Sequence, residues 1–278
     1  MTEMAIAVRA TGERTCAQLC DQIRKQSRRG DVVHVFNTPE PFVDKMQSVY
    51  RWCLEQNKPV SLIIDADILI RPTLLKTIRR VAKRMAHSDA GFGIQLFDRF
   101  FHRPKFRGIH VYKTACLPLF LNELPHVVND LRPETAVKKR VENQGYKWKN
   151  DLLTFYVGGL HDFHQWHRDI YFKMLVRSHR SPDLVAINYI PDDGSKEYVF
   201  AKQGLEDGAA RSDLQLDKQQ YVNPGIEERP PMRDIIDVEQ TLKKALRKHY
   251  GISLWYFASL YTWFAPLLNW RLRNRKTA

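Results

Sequence analysis

The stretch Val60-Ser61-Leu62-Ile63-Ile64-Asp65-Ala66-Asp67-Ile68-Leu69-Ile70-Arg71-Pro72 constrains the fold of this chain more than any other, because an apolar run meets two carboxylates one residue apart. β-Branched and aliphatic residues in succession read as a strand buried on both faces, as in a parallel sheet. Residues i and i+2 of a strand project to the same side, so Asp65 and Asp67 are expected as neighbouring like charges that need a cation or a shared proton. Hard oxygen ligands suit Mg2+ or Mn2+, ions that keep positions open for substrate phosphates. Open α/β sheets bind ligands at this same carboxyl edge. An Asp after a strand also serves as a plain turn residue or helix N-cap, so the pair takes its meaning from its surroundings.

Those surroundings alternate strand and helix. Met4 to Val8 read as a strand, Arg9 to Glu13 as a loop, and Cys16, Leu19, Cys20 and Ile23 as the apolar face of a helix. Val32 to Phe36 give a second strand, and Phe42, Met46, Val49, Tyr50, Cys53 and Leu54 a second amphipathic helix. Leu74, Leu75, Ile78, Val81, Ala82 and Met85 mark a third helix with Lys76, Arg79, Arg80, Lys83 and Arg84 outside, and Phe92 to Leu96 a further strand. With right-handed crossovers the pattern predicts an α/β fold: a doubly wound, mostly parallel sheet with helices on both faces.

Beyond residue 96 the pattern loosens. A loop rich in Phe, Arg and Pro leads to a short strand at Gly108 to Tyr112 and an apolar patch from Cys116 to Leu121. A helix from Glu134 to Gln144 is opened by Arg132-Pro133 and closed by Gly145. Strands are expected at Tyr146 to Lys149 and Leu152 to Val157, and a helix over most of His161 to His179. Residues 181–232, with many Pro, Gly and Asp and little periodicity, read as a long loop or lid.

The chain carries 44 Lys and Arg against 31 Asp and Glu, a net charge of +13, which favours an anionic partner. Neither a nucleic-acid-binding module nor a P-loop nor a dinucleotide glycine fingerprint occurs, so phosphorylated small molecules or an acidic membrane face are expected rather than nucleic acid. Cys16, Cys20, Cys53 and Cys116 lack metal-ligand spacing and read as core thiols in a reducing compartment. No basic-then-apolar leader precedes Met4, so secretion is not expected.

Four features stand in order: the Asp65-Ala66-Asp67 strand end, Pro133-Glu134-Thr135 opening a helix, Gly145-Tyr146-Lys147 after it, and Gly158-Gly159-Leu160-His161. Together they resemble the family 2 glycosyltransferases of the GT-A fold over residues 4–165, with residues 1–96 as the nucleotide-sugar half, 97–180 as the acceptor half, and the C-terminal third unmatched. The resemblance implies that Asp65 and Asp67, joined by His161, hold Mn2+ or Mg2+ on the donor diphosphate, Asp67 being the more direct ligand. It implies that Glu134 is the general base of an inverting transfer, although relatives often carry Glu-Asp where this chain has Glu134-Thr135. Arg9, Thr11, Glu13 and Asn37 fall where the family binds nucleotide, with a UDP-sugar the favoured donor and a glycan or lipid-linked glycan the acceptor. Lys105 to His110 are placed towards the acceptor.

The segment from His161 to His167 also invites a zinc reading. In a helix, residues i and i+6 lie about 9 Å apart along the axis, too far for three nitrogens each within about 2.1 Å of one ion. His161 is therefore the expected metal ligand, Asp162, Gln165 and Asp169 are expected to line the site, and His164 and His167 to be structural.

Residues 233–278 form a basic, aromatic C-terminal extension expected to be helical. Within it, 251–269 carry no charged residue, include Trp255, Tyr256, Phe257, Tyr261, Trp263 and Phe264, and have basic flanks. An interfacial helix on an anionic membrane, a packing or oligomer helix, and a membrane span are all open. The reading is a metal-dependent glycosyltransferase of surface polysaccharide or glycoconjugate synthesis, peripheral on the cytoplasmic face of the cell membrane. A nucleotidyltransferase using the same acids, or an inactive basic binding protein, are the alternatives.

Overall fold

A computed structural model describes residues 2–38, 40–128, 130, 132–150, 153, 156–180, 194–210 and 235–248. Strand β1 (Met4–Arg9), helix α1 (Cys16–Gln26), β2 (Val32–Phe36), α2 (Phe42–Glu55) and β3 (Val60–Asp65) follow the periodicities of the sequence closely. After β3 come β4 (Ile68–Ile70), α3 (Leu74–Ala82), the long hairpin β5 (Asp89–Asp98) and β6 (Arg103–Lys113), and α4 (Leu117–Glu123). Then follow α5 (Pro133–Asn143), β7 (Lys147–Lys149), β8 (Val157–His161), α6 (His167–Arg180), α7 (Lys196–Ala210) and a helix over residues 238–248, α8.

The strands form one sheet in the order β2-β1-β3-β6-β5-β8-β4, with β7 also paired to β5. The sheet is mixed, which corrects the mostly parallel expectation. β1 pairs in parallel with β2 and β3, and β5 with β7 and β8, but β6 runs antiparallel between β3 and β5, and β4 antiparallel to β8. Two strands joined by a short loop pair as a hairpin, whereas a parallel return needs a crossover of a dozen or more residues. Residues 99–102 leave room only for the hairpin.

Alternation along the strands fills two cores. Met4, Ile6, Val8, Leu62 and Ile64 face α1 and α3 through Leu19, Ile23, Leu74 and Ile78. Ala5, Ala7 and Ile63 face α2, α4 and α5 through Met46, Tyr50, Phe120 and Val137. Helices on both faces are thus as expected. The small alanines leave room for Tyr50 and Tyr112, whose hydroxyls bond at 3.0 Å in the second core. Each fully buried aliphatic side chain contributes about 1.5–3 kcal/mol. Cys20, Cys53 and Cys116 are buried and Cys16 half-buried, all as free thiols.

Three local departures follow from physics that the sequence pattern hides. The run Val60 to Ile70 breaks into two strands at a turn over Ala66 and Asp67, so Asp65 ends a strand whereas Asp67 lies in the turn. His161 ends β8 rather than opening a helix, and Asp162 and His164, with φ of 64° and 57°, reverse the chain before α6. Residues 181–232 are not one loop: α7 packs along α6. A Cβ at Gly204 or Gly208 would lie 2.3 Å from the Tyr171 carbonyl oxygen or 2.2 Å from that of Leu175, so these glycines act as close-contact points rather than helix breakers.

α8 docks on β4, β5 and β8 through Val238 and Leu242 against Leu69, Phe97 and Leu160. Arg71 pairs with Glu239 at 2.6 and 3.0 Å, and Gln18 exchanges two hydrogen bonds with the backbone of Ile236. Among the described residues no helix is long and apolar enough to cross a membrane. The stretch 251–269 lies outside the described residues.

Helix propensity alone makes Gly208→Ala stabilising by about 1 kcal/mol. The contact with Leu175 reverses that sign, and overpacking of this kind costs about 1–3 kcal/mol. Urea unfolding of Gly208→Ala is expected to show a net loss of stability, with a gain meaning that α6 and α7 do not pack at this distance.

Candidate active site

Four strand ends supply the polar row at the carboxyl edge. β1, β3, β5 and β8 run the same way and end in Arg9, Asp65, Asp98 and His161, with Arg9 in register with Asp65 and Asp98 with His161. A cleft of about 960 Å³ opens along this edge. Gly108 of β6 sits at its floor with φ +62°, where a Cβ would lie 2.5 Å from Ile68 Cδ1 and 3.2 Å from Asp65 Oδ2.

One wall is built on acids from β3 and α5. The buried Arg9 guanidinium donates to Asp65 Oδ1 at 2.7 Å and lies 3.5 Å from Glu134 Oε2, with Phe42 stacked 5.2 Å away. Glu134 occupies the first turn of α5, where Pro133 starts the helix and the dipole favours an acid. Its Oε1 lies 3.2 Å from His110 Nε2, 3.3 Å from the Tyr112 hydroxyl and 3.8 Å from Lys138 Nζ. Lys138 Nζ also sits 2.9 Å from His110 Nδ1. An ammonium only donates, so Nδ1 accepts and the neutral ring donates its Nε2 proton to Glu134.

Burial pushes His110 down to about 4, outweighing the opposing pull of Glu134, and the positive charge of Lys138 adds to the depression. Burial would raise Glu134, but the His110 contact, Lys138 and Arg9 hold it well below the usual carboxylate range. Since the imidazole is neutral, it acts on Glu134 as a hydrogen-bond donor. Burial pushes Asp65 up to about 6 against the pull of Arg9. Its side chain keeps 33% of its surface exposed, so water tempers that rise.

The other wall alternates carboxylates and cations. His161 Nδ1 lies 3.0 Å from Asp98 Oδ2 and 3.1 Å from Asp162 Oδ2, and Nε2 lies 3.6 Å from Asp67 Oδ2. Lys173 on α6 bonds both Asp67 Oδ2 and Asp162 Oδ1. Arg177, one turn on, reaches Asp162 Oδ2 at 3.4 Å, and Arg107 of β6 reaches Asp98 Oδ2 at 2.6 Å. The backbone ties this wall together, because the Asp162 N–H donates to the Asp67 carbonyl at 3.2 Å. Burial opposes the charged forms here. Lys173 and His161 nevertheless lower Asp67, and Asp162 and Asp67 raise His161.

Asp67, His161 and Asp162 offer three ligand atoms within 4.8 Å of one another. Asp67 Oδ1, buried without a hydrogen-bond partner, is an oxygen that an ion could use. The charge balance argues the other way. Three carboxylates, Asp67, Asp98 and Asp162, already face Lys173, Arg107, Arg177 and the imidazole of His161. Lys173 bonds two of the three residues that a divalent ion needs. Two like charges 4 Å apart repel by about 4 kcal/mol at an effective dielectric of about 20, so the donor set does not fit a resident Mn2+ or Mg2+ beside this ammonium.

The expected site residues divide accordingly. Asp65, Asp67, Glu134, His161, Thr11 and Glu13 line the one cleft. Glu13 accepts from the backbone N–H and hydroxyl of Thr11, which shapes that loop. Arg9 is buried between Asp65 and Glu134 and is not among the residues that line the cleft. Asn37 is exposed beyond β2 and does not line the cleft. Asp162, Gln165 and Asp169 line it, while His164 is exposed and His167 packs 4.8 Å from the Phe200 ring. His110, Lys138, Asp98, Arg107, Lys173 and Arg177 are the site residues that motif reading passed over. Only the expectation that Lys105 to His110 face the acceptor touched two of them.

His110 links folding to pH. Its folded pKa of about 4 lies below its ordinary value of 6.5, so the unfolded chain binds the extra proton first. The stability it contributes is full above pH 6.5 and is lost as pH falls towards 4. Between pH 7 and pH 5 this amounts to about 2 kcal/mol. His110→Gln is expected to flatten that part of the pH dependence of urea unfolding, and an unchanged slope would place the imidazole proton elsewhere. Compared with known protein families and with curated proteins, the chain matches none.

Proposed function

We propose that the chain is a glycosyltransferase of the GT-A type that moves a sugar from a nucleotide donor to a hydroxyl acceptor with inversion. The observation that carries this reading is the division of one cleft into two walls of different chemistry. A carboxylate, Glu134, held ionised by Arg9, His110 and Lys138, stands on one wall. On the other, Lys173, Arg107 and Arg177 stand interleaved with Asp67, Asp98 and Asp162. Transfer between two oxygens needs both: a group to receive the acceptor proton and positive charge for the departing diphosphate. The order Asp65-x-Asp67, Glu134, His161 supports the same reading through its resemblance to family 2 enzymes.

In the proposed step the acceptor oxygen attacks the anomeric carbon as the bond from that carbon to the diphosphate oxygen breaks. The electron pair leaves with the diphosphate. Glu134 accepts the hydrogen bond of the attacking hydroxyl and takes its proton. Its depressed pKa makes it a weak base, so the proton moves late, once the forming bond has made the hydroxyl strongly acidic. Arg9, His110 and Lys138 position the carboxylate for this. Thr11 and Glu13 line the cleft from the loop after β1, where the nucleoside is proposed to bind, with UDP-sugars the first donors to test. The basic, aromatic sequence around 251–269 supports a glycan or lipid-linked acceptor held at the cytoplasmic face of an anionic membrane.

Incubation with a panel of nucleotide sugars is expected to release a nucleoside diphosphate from one of them. Glu134→Gln keeps the shape of the side chain and removes the base, and general bases contribute about 10²–10⁴-fold. That variant is expected to bind the donor normally and lose turnover on this scale. Release of pyrophosphate instead would identify nucleotidyl transfer and overturn the proposal.

A further inference from the structure

The acids that resemble a metal site are already served by the chain's own cations. Lys173 and Arg177 lie four residues apart and therefore on one face of α6. Both reach Asp162, and Lys173 also bonds Asp67. α6 is packed in turn against α7, whose Gly204 and Gly208 let the two backbones approach closely. Arg107 meets them from β6, and the Phe101 ring gathers the group: Lys105 Nζ lies 3.1 Å, Arg177 5.2 Å and Arg107 5.3 Å from its centroid. An aromatic face attracts cations, and the Phe101 ring holds both the Arg107 and Arg177 guanidinium groups while Asp98 and Asp162 pair with them. Arg107, Lys173 and Arg177 all line the cleft.

We propose that Lys173, with Arg177 and Arg107, replaces the divalent ion, so that this site binds the diphosphate of a nucleotide directly and without metal. The inference rests on the glycosyltransferase reading and deepens it. A lysine ammonium has three N–H donors. Asp67 and Asp162 take two and fix its position, which leaves one for a phosphate oxygen. As the bond to the anomeric carbon breaks, the electron pair stays on the terminal phosphate oxygen and is neutralised by hydrogen bonds from Lys173 and the two guanidinium groups, with no proton transferred. Asp67 Oδ1, buried and unpartnered, is then an acceptor for a hydroxyl of the bound donor.

The test is calorimetric and thermal-shift titration of uridine, guanosine, adenosine, cytidine and thymidine diphosphates onto the full chain, in EDTA and in Mn2+. Mn2+ is also titrated alone. At least one nucleotide is expected to bind in EDTA, with an affinity that Mn2+ leaves within about twofold. A charge-assisted hydrogen bond is worth roughly 10–100-fold in affinity, and Lys173→Met should lose that much. Lys76→Met, on the exposed face of α3, should lose nothing. If Lys173→Met does not fold, the wild-type comparison in EDTA and Mn2+ decides alone, with Lys173→Arg as the charge-retaining variant. Nucleotide binding that requires Mn2+, or tight binding of Mn2+ by the free chain, would overturn the replacement and leave the glycosyltransferase reading standing. No nucleotide binding under either condition would overturn both.

Discussion

A guanidinium buried between two carboxylates holds the cleft together. Arg9 closes β1 and meets Asp65, the end of the neighbouring strand, and Glu134, the start of a helix more than a hundred residues later. Breaking such a buried pair from one side costs about 3–5 kcal/mol, because the remaining charge stays in a poor solvent. Loss of Asp65, the closer partner at 2.7 Å, would leave Arg9 only the longer contact with Glu134 at 3.5 Å. The first parallel half of the sheet is thereby tied to α5, and Tyr50 and Tyr112 extend the connection from Glu134 into the second core.

The antiparallel strand β6 joins the two walls. It lies between β3 and β5 and brings His110 to the acid wall and Arg107 to the cation wall, three residues apart. A fully parallel sheet has no such shared element. Substitutions in β6 should therefore act on both walls, whereas those in α5 or α6 act on one.

How much of this could be read from sequence depended on whether the signal was local. β1 to α3 carry clear periods of two and 3.6, and their bounds follow. Residues Arg103 to Arg107 of β6 are only partly buried and mostly basic, so they lack the alternation that marks a strand, and strand direction is not written in any local pattern. The turn at Ala66 and Asp67 was hidden by apolar residues on both sides. α7 was hidden by glycines whose role is to let another backbone approach. Asp65, Asp67, Glu134 and His161 could be picked out because an apolar run ends in two acids and all four stand, in order, within motifs that resemble a known family. Lys173 and Arg177 could not, since basic residues on a helix ordinarily mean a solvated face, and only the fold reveals that this face meets Asp67 and Asp162.

Asp67 and Asp162 are joined through the main chain as well as through Lys173. The N–H of one donates to the carbonyl of the other, and Gln165 donates to the same carbonyl at 3.4 Å. The separation of the two carboxylates is therefore set when β4 pairs with β8, before any ligand arrives. A site of this kind has its ordering entropy already spent at folding, so an incoming phosphate meets groups that need little reorganisation. Selectivity then comes from stiffness: a ligand whose charges do not match this fixed spacing cannot recruit the wall by reshaping it.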